Sequence, residues 1–411
     1  MSTKYRARNL RNMIASAKRE QKAGTIDDYK EYIKDQMRYQ LSEGMKPSDF
    51  GLLDLFENLV SDGGEMLRGE QVSESAGNVT TADFALIGEQ LVINAVMEAY
   101  SLASLVGDKL VTVFPSDIQE TEEIPGVAVA ADEFDTPVPQ GHPYPLIGLQ
   151  PSIIRLPAAV KRGRILQITR EMIKRDRTGL LLQRAGSAGE ALGLNKEKRI
   201  LDTVIGADPS YVRKNEARAT YADSAAGTNM GFDNLATEIL TDLTDIRLLD
   251  EQFNAISDPD INEPLNTTPT TILCGRDLSW QAKSIVSNIQ VRDGDITNAP
   301  AIQGINSGNR LPFDLEIIRS EHLIRRLMAR TGEGGLTSGT RALANAHWFF
   351  GNFKKAFKYK EIWGIFSEQA PMNNEAQFTS DVWFRLKVGE YGVPAAVEPR
   401  VVIRSGGTVA S

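Results

Sequence analysis

The stretch IIRLPAAVKRGRILQITREMIKRDRTGLLLQRAGSAGEALGLNKEKRILDTVIG, residues 153–206, contains the most distinctive succession of predicted elements in the chain. Its apolar and basic residues predict extended strand over 153–156 and 160–168. No proline interrupts residues 178–203, which predicts one helix about 39 Å long at about 1.5 Å per residue. Gly206 follows, where helices commonly end. A strand therefore leads into an unusually long helix.

Small residues crowd the interior of this predicted helix. Gly186, Gly189 and Gly193 each cost about 1 kcal/mol relative to alanine in a helix, and alanines lie between them. A stripe of small residues permits another backbone to approach closely. We expect packing to stabilise the helix, with a sheet or a hairpin as its neighbour.

The segment before residue 157 combines many prolines with a reversal of charge. Residues 110–154 contain no Lys or Arg, whereas residues 155–177 contain eight basic side chains and only two acids. Proline excludes helix and central strands, so we predict a long two-armed hairpin that is too polar to form a core layer. Either its arms dock on neighbouring copies of the chain, or they neutralise each other within one hairpin. The docking alternative assigns intersubunit contacts to Asp117, Glu120, Glu122, Glu123, Asp132, Glu133, Asp135, Arg155, Lys161, Arg162 and Arg164.

The N-terminal region, residues 1–85, is predicted to be helical. Apolar residues recur at helical spacing near residues 10–17 and 29–37, and further helices are expected over 48–60, capped by Ser48 or Asp49, and over 81–104. The first helix is basic, either as a solvated face or as a surface for an acidic partner or nucleic acid. Its basic residues are Lys4, Arg6, Arg8, Arg11, Lys18 and Arg19.

The region after residue 207 alternates helical and strand patterns. Apolar periodicity predicts helices over 231–253 and 276–289, the second capped by Asp277. The strongest alternation in the chain, residues 382–388, predicts a strand. Glycines in 389–392 predict a turn after it. The other predicted strands lie within 268–274, 312–319, 346–368 and 395–404.

Composition and motifs argue against catalysis. The chain has 411 residues, a formal net charge of −8, one cysteine and three histidines. It has no phosphate-binding loop, no nucleophile elbow and no zinc or EF-hand motif. We therefore expect no enzyme activity, cofactor or metal, and no wholesale wrapping of DNA. No secretory signal and no apolar run of about 18 residues occur, so no membrane association is expected.

The order of these elements resembles the major capsid proteins of tailed bacteriophages, which have the Hong Kong 97-type fold. The likeness is carried by residues 168–173, 271–273, 348–357 and 381–387. The resemblance implies an α+β chain with an N-terminal helical arm, an extended E-loop hairpin, a long spine helix, an A-domain and a P-domain. The implied boundaries are 1–85 for the arm, 86–111 and 167–230 for P-domain parts with a spine helix at 178–203, 112–166 for the E-loop, 231–370 for the A-domain and 371–411 for the closing P-domain strands and C-terminal tail.

The resemblance implies a virion shell protein with no active site, assembled in the cytoplasm of a bacterial host. Copies would form the hexamers and pentamers of an icosahedral shell around double-stranded DNA, with portal, scaffolding and, where present, cement proteins as partners. The predicted E-loop tip has no lysine, and Lys161 lies near the loop's base, so we expect non-covalent contacts. We expect no cleaved scaffolding segment before the core. The alternatives are an encapsulin-type bacterial compartment shell and a soluble enzyme with an unrecognised site.

Overall fold

The chain forms helices and sheets in two compact units. The computed structural model describes residues 3–24, 26, 28–42, 52–60, 81–100, 105–126, 137–143, 152–175, 180–208, 211–213, 216–222, 232–256, 267–287, 314–370, 379 and 382–406. Unit 1 comprises Met1–Ala103, Lys161–Asn195 and Trp363–Tyr391. Unit 2 comprises Ser104–Val160, Lys196–Ile362 and Gly392–Ser411. The finer boundaries predicted for the N-arm, E-loop, A-domain and P-domain stay predictions.

The elements confirm the predicted α+β class. The helices are α1 (Thr3–Lys22), α2 (Tyr29–Ser42), α3 (Leu52–Leu59), α4 (Thr81–Tyr100), α5 (Gly107–Leu110), α6 (Arg170–Arg175), α7 (Leu180–Val204), α8 (Leu243–Ala255), α9 (Arg276–Ser287), α10 (Leu323–Ala329), α11 (Arg341–Ala346) and α12 (Phe353–Ala356). The strands are β1 (Thr112–Pro115), β2 (Glu122–Gly126), β3 (Ser152–Leu156), β4 (Val160–Thr169), β5 (Tyr211–Arg213), β6 (Glu216–Arg218), β7 (Leu235–Ala236), β8 (Thr271–Cys274), β9 (Glu316–Arg319), β10 (His347–Gly351), β11 (Phe357–Gln369), β12 (Val382–Ala396) and β13 (Val402–Gly406). The sheet orders are β1–β11–β12–β4, β7–β13–β10–β8–β9 and β2–β3–β5–β6.

Unit 1 has a core built from its N-terminal helices. The helical spacing in α1 and α2 buries Leu10, Ile14, Ile33 and Met37, as the sequence predicts. These side chains share one cluster with residues of α3, α4, β4 and β12, including Phe56, Phe84, Ile168, Leu386 and Val388. The N-terminal helices are therefore packed into a hydrophobic core.

The small-residue stripe of α7 also serves unit 1. A Cβ built on Gly189 would collide with the carbonyl oxygen of Val96 on α4, whereas one on Gly186 would lie 3.7 Å from the carbonyl oxygen of Ala95. The expectation of close packing is confirmed. The expected neighbour, a sheet or hairpin, is wrong at these positions: the backbone that approaches is another helix.

Unit 2 is organised around a five-stranded sheet with β10 at its centre. β10 pairs antiparallel with β13 on one side and with β8 on the other. The edge strands are parallel to their neighbours: β7 pairs with β13, and β9 pairs with β8. Every residue of β10 is buried, including Trp348, Phe349 and Phe350. A continuous apolar run is typical of a strand covered on both faces.

The prediction of a helix over residues 231–253 is wrong for the first half of that range. Leu235 and Ala236 instead pair with β13, and α8 begins only at Leu243. The side chain of Asp242 accepts a hydrogen bond from the amide of Thr244, and the Asp245 carboxylate accepts one from the amide of Asp242. This capping box fixes the start of the helix.

Two other local predictions fail for different reasons. Asp277 lies inside the first turn of α9 and accepts a hydrogen bond from Asn345 at 2.5 Å, so it is not the predicted cap. The turn predicted at 389–392 is absent, because β12 runs unbroken through both glycines. A Cβ on Gly389 would lie 2.8 Å from the carbonyl oxygen of Arg162, and one on Gly392 would lie 2.7 Å from that of Lys360. These glycines permit close strand approach instead of reversal.

Candidate functional site

A buried lysine holds the first part of the acidic segment. The Lys360 side chain is fully buried; its Nζ donates to the carbonyl oxygen of Glu120 at 2.8 Å and lies 3.1 Å from Glu122 Oε2. The Ser116 hydroxyl donates to the same carboxylate oxygen at 2.5 Å, and Ser116 Oγ accepts from the amide of Ile118 at 3.1 Å. Residues 116–122, named here the acidic turn, are therefore anchored at both ends.

The two arms of the hairpin are partly neutralised within the chain. β2 and β3 pair antiparallel with Glu123 opposite Arg155, whose side chains form an ion pair at 2.7 Å. The base of the hairpin also buries Ile124, Ile154 and Leu156. The expectation that this region is too polar to contribute to a core is therefore wrong at its base.

The remaining predicted acidic contacts divide into two groups. The Asp117 and Glu120 side chains are exposed on the acidic turn, beside Ile118, which is 50% exposed. Asp132, Glu133 and Asp135 lie outside the described residues. Because Glu122 and Glu123 each have a cation within the chain, Asp117 and Glu120 are the described acids best placed to meet another molecule.

Basic side chains of β4 and β12 lie beside aromatic rings of β11 in unit 1. Lys161 Nζ lies 5.1 Å from the ring centroid of Trp363 and 5.4 Å from that of Phe366. Ile165, on the same face of β4 by strand alternation, is 63% exposed. Lys387 Nζ lies 5.8 Å from the Phe366 ring. We name Lys161, Ile165, Trp363, Phe366 and Lys387 the cationic face.

The other predicted basic contacts on β4 are Arg162 and Arg164, which alternate with Lys161 and Ile165 and therefore project from the opposite side of the strand. Arg162 is half-buried, and Arg164 is exposed. Leu166 and Ile168 point to the hydrophobic cluster of unit 1, as do Leu386 and Val388 of the neighbouring strand. One side of the β4–β12 pair is therefore core, and the other carries exposed cations and aromatic rings.

The basic residues of α1 do not form one solvated set. Lys18 pairs with the buried carboxylate of Asp83 at 2.5 Å, and the Tyr29 hydroxyl donates to the same carboxylate at 3.2 Å. Burial and the Asp83 charge raise the pKa of Tyr29 to about 12. Arg11 and Arg19 are exposed. Lys4, Arg6 and Arg8 belong to the helix, but their side chains lie outside the described residues.

Three titratable side chains of unit 2, those of Cys274, His347 and Arg404, are buried in its core. Burial raises the pKa of Cys274 to about 12 and, with the nearby Arg404 charge, lowers the pKa of His347 to about 4. Arg404 donates to the carbonyl oxygens of Ile205 and Gly334, each at 3.1 Å, and lies 5.0 Å from the Tyr221 ring centroid. These contacts join the end of α7 to the loop after α10.

Two properties of the described residues concern metals and membranes. Nowhere among them do three or more His, Cys, Asp or Glu side chains gather as a metal site would require. No described helix combines the length and apolar character needed to cross a bilayer.

Residues 155–405 match the model of the phage capsid protein family. This match covers more than half of the chain, and the chain belongs to that family. It is a capsid shell protein, whose place is the virion and whose copies associate with one another. The α+β arrangement is consistent with the Hong Kong 97-like fold that the element order predicts.

Solved capsid structures are distantly similar. The chain is 14% identical to a capsid chain of the cyanophage P-SCSP1u, covering 73% of this chain and 87% of that chain with a TM-score of 0.45. It is 11% identical to one of the mature capsid of bacteriophage PhiM1, covering 74% and 87% with a TM-score of 0.43. It is 12% identical to a chain of Gordonia phage Cozz, covering 74% of this chain and 87% of that chain with a TM-score of 0.42. No curated protein matches the chain. Membership of the family, and not these likenesses, identifies the capsid protein.

Sequence reasoning missed two of the residues that shape these surfaces. Lys360 and Trp363 both lie on β11, in a stretch rich in lysines and aromatic residues. Their spacing carried no signal, because the partners of Lys360 are more than 230 positions away. A buried lysine is unusual unless it is paired, so only the structure distinguishes Lys360 from its exposed neighbours Lys354 and Lys355.

Proposed function

We propose that this chain is the major capsid protein of a tailed bacteriophage, and that its copies form the hexamers and pentamers of an icosahedral shell around double-stranded DNA. The observation that carries the proposal is the family match over residues 155–405. That match includes the long helix α7 and all the strands that form the central sheet of unit 2.

The contacts between subunits are proposed to be non-covalent and partly electrostatic. Asp117 and Glu120 on one side, and Lys161 and Arg164 on the other, are exposed groups of opposite sign. A single exposed ion pair contributes only about 0–1 kcal/mol. A closed shell repeats each contact many times, so weak pairs still stabilise the assembly while single misplaced subunits can dissociate.

The charge of the chain also suits a container for DNA. The formal net charge of −8 disfavours tight binding of the phosphate backbone. DNA would then be enclosed without sequence-specific recognition, and would not be held in a way that opposes release. The basic residues of α1 are the exception, and we propose that the exposed ones meet a scaffolding protein or a neighbouring subunit.

Nuclease protection tests the enclosure of DNA. Particles purified from infected cells should carry DNA of one defined length that nuclease digests only after the shells are opened. Shells that contain protein cargo and no protected DNA would instead support the bacterial compartment alternative. Portal, scaffolding and cement proteins would be identified as additional bands in such particles.

A further inference from the structure

The acidic turn presents an apolar side chain between two carboxylates. Ile118 is half exposed, and Asp117 and Glu120 flank it. The amide of Ala159 donates to the carbonyl oxygen of Gln119 at 3.0 Å, which adds a third restraint to those made by Lys360. A loop already held in one conformation loses little entropy when it binds. The turn therefore has the properties of a preformed contact element.

The cationic face has the complementary chemistry. Trp363 is 48% exposed and Ile165 is 63% exposed, so the face offers apolar area as well as charge. Lys387 forms an ion pair with Glu368, whereas Lys161 lies against two aromatic rings. Tryptophan is enriched among the residues that contribute most of the binding energy at protein interfaces.

Gly163 and Gly389 shape this face. A Cβ on Gly163 would lie 2.6 Å from the carbonyl oxygen of Val388, and one on Gly389 would lie 3.1 Å from the Phe366 ring. A side chain at Gly389 would therefore press against the Phe366 ring. Lys161 Nζ and Lys387 Nζ lie 5.4 Å and 5.8 Å from the centroid of this ring.

We propose that the acidic turn of one copy docks on the cationic face of a second copy, with Ile118 against Ile165 and Trp363 and with Asp117 and Glu120 near Lys161. The second copy is the occupant because the charges and apolar areas of the two surfaces are complementary, and both surfaces are exposed in the same chain. The contact is heterologous, because each copy gives one surface and receives the other. A heterologous contact that closes by rotation forms a ring.

This inference rests on the proposed capsid function and deepens it by naming the contact. It assigns Lys360 as a positioning residue, which acts by holding the turn and not by touching the second copy. The proposal also divides the acidic residues predicted to contact other subunits. Glu122 and Glu123 stabilise the hairpin of their own chain, whereas Asp117 and Glu120 contact the second copy.

Cysteine cross-linking tests the contact directly. The native Cys274 is fully buried, so it gives little background in the folded protein. Full-length Ile118→Cys and Ile165→Cys are prepared separately, mixed under assembly conditions and treated with a short bis-maleimide. The mixture should give a cross-linked dimer, and neither variant alone should do so. A control mixture pairs Ile165→Cys with Tyr39→Cys, whose parent side chain is 60% exposed on α2.

The outcomes separate this inference from the proposed function. Particles that assemble without a cross-link between positions 118 and 165, or with one equal to the control mixture, would overturn the docking contact and leave the capsid function intact. A chain that remains monomeric at every concentration would contradict the proposed function itself. Cross-linking within either single variant would overturn the heterologous arrangement.

Charge reversal provides an independent test in the same assay. Lys161→Glu should lower the cross-linked yield about fivefold, as expected for losing an exposed charge contact and adding repulsion. Adding Asp117→Lys and Glu120→Lys to the partner should restore it. Glu31→Lys, an exposed reversal on α2, should leave the yield unchanged. A yield that Lys161→Glu leaves unchanged, or that the compensating pair does not restore, would contradict the proposed pairing.

Discussion

The α-carbon of Gly189 faces the carbonyl oxygen of Val96 so closely that no side chain fits between helices α7 and α4. Gly186, one turn earlier, has ordinary van der Waals room at the same helix pair. The two glycines therefore have different physical roles, although their local sequences are alike.

This difference predicts opposite effects of one substitution. Gly189→Ala should destabilise the protein by about 1–3 kcal/mol, because overpacking forces the helices apart. Gly186→Ala should be neutral or stabilise by up to about 1 kcal/mol through helix propensity. Chemical denaturation of both variants measures the difference. Equal effects of the two substitutions would show that the close approach is absent.

The ion pair between Lys18 and Asp83 should stabilise the N-terminal helices. Asp83 is buried and Lys18 is partly exposed, so Asp83→Asn should cost about 2–3 kcal/mol, somewhat below the cost of breaking a fully buried pair. Hydrogen exchange of α1 and α2 should rise, because both helices contribute a partner of this carboxylate.

An exposed pair on α2 provides the control. Asp35 and Arg38 are each about two-thirds exposed and 3.7 Å apart, so Asp35→Asn should change stability by less than about 0.5 kcal/mol. If the Asp83 and Asp35 substitutions have equal effects, the buried pair does not hold these helices.

Protonation of His347 should weaken unit 2 in acid. Its pKa falls from 6.5 to about 4 on folding, because the neutral ring is buried beside Arg404. The unfolded chain then binds the proton more readily between these pH values, so stability is lost as pH falls from about 6.5 to about 4. The total loss from this group is about 3 kcal/mol.

The measurement compares denaturation midpoints across pH for the native protein and His347→Gln. The variant should have a shallower dependence in the pH 4–6.5 window. His142→Gln is the control, because it replaces a histidine at an exposed position. A slope that His347→Gln leaves unchanged would exclude this residue as the source.

Ionic strength should weaken association between copies. Exposed charges such as Asp117 and Lys161 interact less when the screening length falls from about 10 Å at 0.1 M salt to about 3 Å at 1 M. Light scattering at increasing salt should show a higher critical concentration for assembly. Assembly that is insensitive to salt would indicate that apolar contacts dominate the interface.

Periodic and locally capped elements were predictable from sequence. The stripe containing Leu10 and Ile14, the helix ending before Gly206 and the strand containing Ile165 all depend on local spacing. Gly206 adopts φ +79°, as its predicted position after the helix requires.

Features set by distant parts of the chain were not predictable. Gly389 and Gly392 carry the composition of a turn, but neighbouring backbone decides that they continue a strand. Apolar periodicity over 231–253 predicted helix throughout, yet pairing of Leu235 with β13 overrides it. The same limit applies to the surfaces. The change from acidic to basic residues along the sequence made Asp117 and Lys161 candidates, whereas the roles of Lys360 and Trp363 are visible only in the contacts of the folded chain.

Negative-stain electron microscopy of the purified full-length chain, with light scattering for mass, tests whether this shell protein assembles by itself. We expect uniform closed shells, or rings of five and six copies. Particles whose mass stays at that of a monomer or dimer at high concentration, in both low and high salt, would contradict it.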